Sequence, residues 1–270
     1  MFGNRMKTEA IPERVYALCR EVSSRPMEEG TLRKMLEPDN LGGKTSYYGM
    51  VRTAAEELGL ISIKENVISL AVSKDAVKSM EQMRRYINLH MESLSDSLFY
   101  KVTRAYFDMG TEVLEHNSVS RMSDLMGRNI GETVIEDDMR AWRFWMPFLG
   151  FGYMHEPVPS SAGIMLPNAA VFLKDLIEGL GIEKNREYTI DEFVSLITPY
   201  ANIVLHGAAE NKTFNYAFSN AIRMLHGLNA INAEPKSDAQ EIWKVYPMES
   251  HSSIKTTVTH ITVTGGRHEF

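Results

Sequence analysis

Lys44-Thr45-Ser46-Tyr47-Tyr48 leads a segment that closes on Leu58-Gly59-Leu60-Ile61, and Lys212-Thr213-Phe214-Asn215-Tyr216 leads another that closes on His226-Gly227-Leu228-Asn229. The two align without a gap, setting Lys44 on Lys212, Thr45 on Thr213, Tyr48 on Tyr216, Ala54 on Ile222 and Gly59 on Gly227. Glu136-Asp137-Asp138 through Phe148-Leu149-Gly150-Phe151 fits the same frame, with Gly150 on Gly59. Repetition sets architecture, because each copy is one supersecondary unit whose apolar face has to be buried. The chain is expected to carry that unit three times.

The residues around the first copy say what the unit is. Val15, Leu18, Cys19 and Val22 stand at the spacing of one buried helical stripe. Pro12 falls in the first turn, where a missing N–H costs nothing. A second helix is expected from Glu29 to Leu36, stopping before Pro38, with Asp39 to Gly43 as turn. The third starts near Thr45 or Ser46, either able to cap it, and buries Val51, Ala54, Ala55 and Leu58. Gly59 ends it in the left-handed conformation, and Leu60 to Ile63, a Lys64-Glu65-Asn66 tip and Val67 to Leu70 read as a hairpin. Three helices followed by a two-stranded wing is a winged helix–turn–helix. It occupies residues 11–74.

Residues 75–117 read as a helical spacer, with Met80, Met83, Ile87, Met91, Leu94, Leu98, Val102, Ala105 and Met109 in one stripe, either a single long helix or one broken once near Ser93–Ser97. The second unit takes 118–167, with helices at Val119–Met126 and Glu136–Leu149 and wing strands at Tyr153–His155 and Gly163–Leu166 around a Pro157–Ser161 turn. The third takes 168–247. Asn168–Leu180 is its first helix; Thr189-Ile190-Asp191-Glu192 is a capping box opening a helix that should end before Pro199. Thr213–His226 follows, then a wing pairing Ala230-Ile231 with Ile242–Tyr246 across a Glu234–Asp238 tip. Residues 248–270 are left as one added strand and a frayed end. The fold class is mainly α with small β wings.

Composition narrows the functions. A 270-residue chain that is 44% hydrophobic can bury several small cores, and a net charge of −6 speaks against a sequence-blind nucleic-acid coat without forbidding one basic face. The single Cys19 excludes an internal disulfide and suits a reducing, cytoplasmic setting; it lies on a buried stripe, so it reads as core. Met1 to Ala10 has no apolar signal region, and no run approaches the roughly 18 apolar residues of a membrane span. The seventeen methionines read as adaptable core filler.

A recognition helix lies in the major groove and touches DNA through its early residues. In the first unit those are Lys44, Thr45, Ser46, Tyr47, Tyr48 and Arg52, joined by Arg33 and Lys34 on the preceding helix and Lys64 at the wing tip. Cations neutralise phosphate, while hydroxyls donate to phosphates or base edges. The third unit offers Lys212, Thr213, Asn215, Tyr216, Asn220 and Arg223, of which Asn220 and Arg223 have the side chains that read adenine and guanine edges. The middle copy puts Glu136, Asp137 and Asp138 there instead; a solvated, acidic helix start is expected, so that copy serves architecture or a partner. The same faces would equally serve to hold protein.

Other signals carry less. Gly42-Gly43-Lys44-Thr45 lacks the first glycine and the preceding strand of a phosphate loop. The eight histidines show no ligand spacing, and Ser and His are too scattered for a triad. No catalytic residue, metal or cofactor is assigned.

The three copies resemble winged-helix domains, and the plan of several such units in one acidic chain resembles accessory proteins of bacterial anti-phage defence and DNA-modification islands. It is also similar to the tandem winged-helix partners of SMC–kleisin complexes, which use their wings mainly to grip protein. The resemblance implies a non-enzymatic component of a multi-protein assembly engaging double-stranded DNA, with other protein subunits as partners and no membrane. A protein-binding scaffold is the alternative; so is a dimeric transcriptional regulator, for which the 75–117 stripe would supply a homodimer seam.

Overall fold

The computed structural model describes residues 2–38, 40, 46–156, 163–248 and 253–265. Most of the Asp39–Gly43 turn, the Pro157–Ser161 turn, Lys44, Thr45 and most of the expected frayed end fall outside them. The fold is mainly helical with small antiparallel sheets. It divides into two compact units: residues 1–87, 93–102 and 119–148 form the first, and residues 88–92, 103–118 and 149–270 form the second. That boundary passes through the expected 118–167 unit, whose helices go with the first body and whose wing goes with the second.

In the first unit α1 (Pro12–Ser24) buries Val15, Leu18, Cys19 and Val22, as their spacing requires. Each such side chain contributes about 1.5–3 kcal/mol on leaving water. Met27–Glu28 forms a short strand β1, missed in the sequence because two residues carry no periodicity. α2 (Glu29–Leu36) follows directly, and the Glu28 carboxylate accepts hydrogen bonds from the Thr31 N–H and hydroxyl to cap it. Then come α3 (Tyr48–Glu57), β2 (Ile61–Lys64) and β3 (Val67–Leu70). Gly59 has φ +67° and ends α3, as expected. Glu65 and Asn66, both at positive φ, make a two-residue hairpin turn between Lys64 and Val67. The wing has three strands rather than two, in the order β1-β3-β2.

Ser46 does not cap α3; its hydroxyl donates to Glu37 instead. The cap comes from Glu37, beyond the end of α2: its carboxylate accepts from the backbone N–H of Tyr47 at 2.9 Å and of Tyr48 at 3.3 Å, and from the Ser46 hydroxyl at 3.0 Å. Partial burial raises the Glu37 pKa, but those hydrogen bonds outweigh it and hold it below the usual carboxylate range. A lowered pKa means stability that is full above the unfolded-state value, about 4.3, and is lost as pH falls through the folded one. Glu37→Gln is expected to cost about 1 kcal/mol near neutral pH, as cap losses do, and less at pH 3. Urea unfolding at the two pH values checks it.

The sequence reading places Phe2 to Ala10 in none of the units, yet Phe2, Met6 and Ala10 are buried. Phe2 meets Phe99 and Trp145 edge to face, with ring centroids 5.0 and 4.8 Å apart. The residues 75–117 are no spacer. They form α4 (Met80–Leu89), a 3-10 turn at Met91–Leu94 and α5 (Leu98–Asp108), a broken stripe rather than a single long helix. Met83, Ile87, Met91, Leu98 and Val102 are buried inside the chain's own cores, so these side chains are not free for the homodimer seam expected of them. α6 (Val119–Ile130) and α7 (Glu136–Phe148) complete the first unit; Trp142, Trp145 and Met146 face inward, and Trp145 Nε1 donates to the Ala10 carbonyl.

The second unit holds the hairpin β4 (Gly152–His155) and β5 (Ile164–Pro167), then α8 (Ala170–Gly179). Gly150, at φ +76°, has no room for a side chain, since a Cβ would sit 2.5 Å from that of Val171. β6 (Glu187–Thr189) leads into α9 (Ile190–Leu205) through the expected Thr189–Glu192 capping box. α9 does not end before Pro199. It continues and kinks, with Ala201 off helical geometry, because proline removes one hydrogen bond without removing the apolar stripe that buries Ile197, Ile203 and Val204. After the short α10 (Ala208–Asn211) comes α11 (Tyr216–Gly227). Tyr48 and Tyr216 each open their helix, as aligned, but α11 runs two residues longer, and Asn229 rather than Gly227 takes the left-handed place of Gly59.

β7 (Ile231–Glu234) was expected to pair with the Ile242–Tyr246 segment and does not. Trp243–Lys244 is β8, which pairs with β9 (Thr257–Val258), while β7 pairs with β10 (His260–Val263). The strand order is β6-β10-β7, so the tail set apart at 248–270 supplies the central strand.

Candidate nucleic-acid interface

The first-unit face brings some of the expected residues together and commits others inward. Arg33, Lys34, Ser46 and Lys64 are exposed. The hydrogen bond from the Glu29 N–H to the Asn66 carbonyl holds the wing tip against the start of α2, which fixes where Lys64 projects. Arg52 is half-buried, its guanidinium donating to the Glu29 carboxylate at 2.5 Å. Tyr47 donates its hydroxyl to the Leu36 carbonyl, and Arg14 lies 4.3 Å over its ring. Tyr48 is only 3% exposed, so it packs rather than reaching a ligand; burial pushes its pKa up to about 12. Of the cations expected on this face, Arg33, Lys34 and Lys64 stay exposed, while Arg52 is paired with Glu29.

The corresponding face of the second unit is used up internally. Arg223 is 8% exposed, and its guanidinium donates to the carbonyls of Ile254 at 3.0 Å, Tyr246 at 2.7 Å and Lys255 at 3.0 Å. Burial lowers its pKa from the ordinary arginine value. Asn220 Nδ2 donates to the Pro167 carbonyl. Asn215 caps α11, accepting from the Phe218 N–H, while its own amide donates to the Val204 carbonyl. Tyr216 packs edge to face on Tyr246, and the Thr213 hydroxyl donates to the Asn211 carbonyl. Lys212 is held by Glu241 and Asp191; the first hydrogen bond chiefly raises its pKa. Arg223 is thus spent on the segment after β7 and Asn220 on Pro167 at the end of β5, rather than being left to face a ligand.

The middle copy is also corrected. Asp138 is fully buried, not solvated: it accepts from the Met6 N–H at 2.8 Å, from Arg5 at 2.7 Å and from the Ile135 N–H at 3.0 Å. Glu136 and Asp137 do stay at the surface, paired with Arg140.

Among the described residues no group of three His, Cys, Asp or Glu could hold a metal ion. Ser253 does meet His226 Nε2 at 2.9 Å. The other ring nitrogen accepts from the Ala233 N–H, so in the neutral ring the proton sits on Nε2, which then donates to Ser253 and cannot take its proton. Burial pushes the Cys19 thiol up to about 12, which suits a core residue. No helix among the described residues is long and apolar enough to cross a membrane. No protein-family model, curated protein or solved structure matches this chain.

Proposed function

We propose that this protein is a non-enzymatic component of a multi-protein assembly, with its first unit engaging double-stranded DNA as a winged helix and its second serving the assembly. The observation that carries the reading is the order α1-β1-α2-α3-β2-β3 with sheet order β1-β3-β2, joined to the exposed Arg33, Lys34 and Lys64. In a winged helix, α3 is the element that enters the major groove, and cations on α2 and the wing neutralise flanking phosphates. A duplex held mainly through phosphates is held with little sequence preference. Defence against phage or maintenance of DNA is the setting this plan suits.

A purely protein-binding scaffold is the second reading. It is favoured by Glu28 and Glu29 at the start of the helix that carries Arg33 and Lys34, and by the internal use of the Lys212–Arg223 face.

The test is fluorescence anisotropy with a labelled mixed-sequence duplex at rising salt. Binding should weaken linearly on a log–log plot, and R33A/K34A/K64A should reduce the slope by about 3, near one counterion per lost phosphate contact. Absence of duplex binding at low ionic strength would hand the first unit to the scaffold reading.

A further inference from the structure

We infer that the second unit carries a docking groove for a basic, amphipathic helix of a partner subunit, running along the outer face of α9. The inference deepens the assembly half of the reading above and rests on it. The groove encloses about 850 Å³ between α9 and the segment that follows α8. Glu192, Leu196 and Tyr200 follow one another at four-residue spacing along α9, which makes them one ridge of that helix; Leu180 and Ile182 stand on the opposite wall. A four-residue ridge with an open groove beside it is the geometry into which a second helix packs.

Leu196 is 47% exposed in a helix whose other aliphatic positions are largely buried, so it is placed for something outside this chain. An exposed leucine alone would mean nothing. Here it stands between Glu192 and Tyr200 on the ridge that lines the groove, and the charged rim selects the occupant. Glu183, Asp191 and Glu192 line the groove against one cation, Arg186. That arginine lies 4.6 Å over the Tyr188 ring and 3.7 Å from Glu183, so it offsets only part of the rim. Asp191 is held by Lys212 and by the Trp243 indole, and Glu192 accepts from the Thr189 N–H in the capping box; Glu183 and Glu192 nonetheless stay exposed, so their negative charge faces a visitor. An apolar strip rimmed by negative charge complements a helix with leucine-like anchors at i, i+3, i+4 and i+7, flanked by lysine or arginine. It repels an acidic helix of the same shape.

The experiment uses the full chain and three labelled 18-residue probes: a Leu/Lys amphipathic helix, a Leu/Glu helix of the same pattern, and a Ser/Lys peptide of the same charge. Anisotropy should rise with the Leu/Lys probe alone, and Leu196→Asp should weaken that binding at least tenfold. Glu183→Lys should weaken it severalfold, with less salt dependence. Equal binding of the Ser/Lys probe, undiminished binding to Leu196→Asp, or no binding of the Leu/Lys probe overturns the inference. So does a concentration-dependent dimer that Leu196→Asp abolishes, since it assigns the groove to a second copy. Duplex binding measured on the same samples separates the two readings. If the duplex binds and the peptide does not, the groove fails by itself; if neither binds, the function proposed above fails with it.

Discussion

Arg223→Ala is expected to destabilise the second unit by about 3 kcal/mol while leaving duplex binding by the first unit unchanged. The guanidinium sits 8% exposed and donates to three backbone carbonyls, those of Tyr246, Ile254 and Lys255. Hydrogen bonds from a charged donor contribute about 1.5–3 kcal/mol each but do not add fully, because removing the side chain also relieves the cost of burying its charge. The three acceptors lie on the return segment that ends in β9 and β10. Losing their shared donor should therefore loosen that segment before it touches α8 or α9. Hydrogen exchange resolved by segment is the measurement: protection should drop over 243–263 and α11, and the melting temperature should fall by roughly 10 °C. Arg223→Lys should recover less than half, since an ammonium cannot reproduce the planar fork that spans several acceptors. A variant of full stability with weakened duplex binding would return Arg223 to the DNA face.

Asp138→Ala is expected to cost the first unit about 3 kcal/mol or more, as stranded buried donors do. Its carboxylate accepts from the Met6 and Ile135 N–H groups, and it also receives Arg5. Arg5 is partly exposed and can turn to water; the two amides cannot. The substitution should therefore detach residues 2–10, exposing Phe2 and the Trp145 ring it packs on. Urea unfolding followed by tryptophan emission reads this directly, because Trp142 and Trp145 belong to that unit. Asp138→Asn, which keeps acceptor oxygen but one amide too many, should fall between wild type and Ala. A loss under about 0.5 kcal/mol for Asp138→Ala, the level of an ordinary surface change, would refute the anchoring role.

Some of the candidate site was legible in the sequence and some was not, for a reason that repeats. The stripe Val51, Ala54, Ala55, Leu58 told correctly which side of α3 faces the core. It could not tell that Tyr48, one turn earlier, continues that buried side. In α11, Phe218, Ala221, Ile222 and Leu225 gave the inner face correctly, yet Ala217, Ser219 and Arg223 are buried as well. A helix covered on two sides looks, in sequence, like a helix covered on one, because small or amphipathic residues on the second side read as surface. The available hint was the tail: alternating Thr, Val and Ile from 256 to 263 has to pack against something. For Asp138 the hint was its place as third residue of α7, where a carboxylate can reach back to the preceding N–H.

By itself, the sequence determined the local elements: α1, α2, the turn at Gly59, the β2–β3 wing, the capping box at Thr189 and the left-handed Gly150. Each rests on periodicity or on one residue's backbone geometry, which act over a few neighbours. Only the tertiary structure decided that β10 enters between β6 and β7, that residues 80–108 belong to two cores rather than to a linker, and that Arg33, Lys34 and Lys64 stay exposed while Asn215, Asn220 and Arg223 are spent on internal hydrogen bonds. Those outcomes depend on which distant segment covers a surface, and a surface awaiting cover is written in the same residues as one left to solvent.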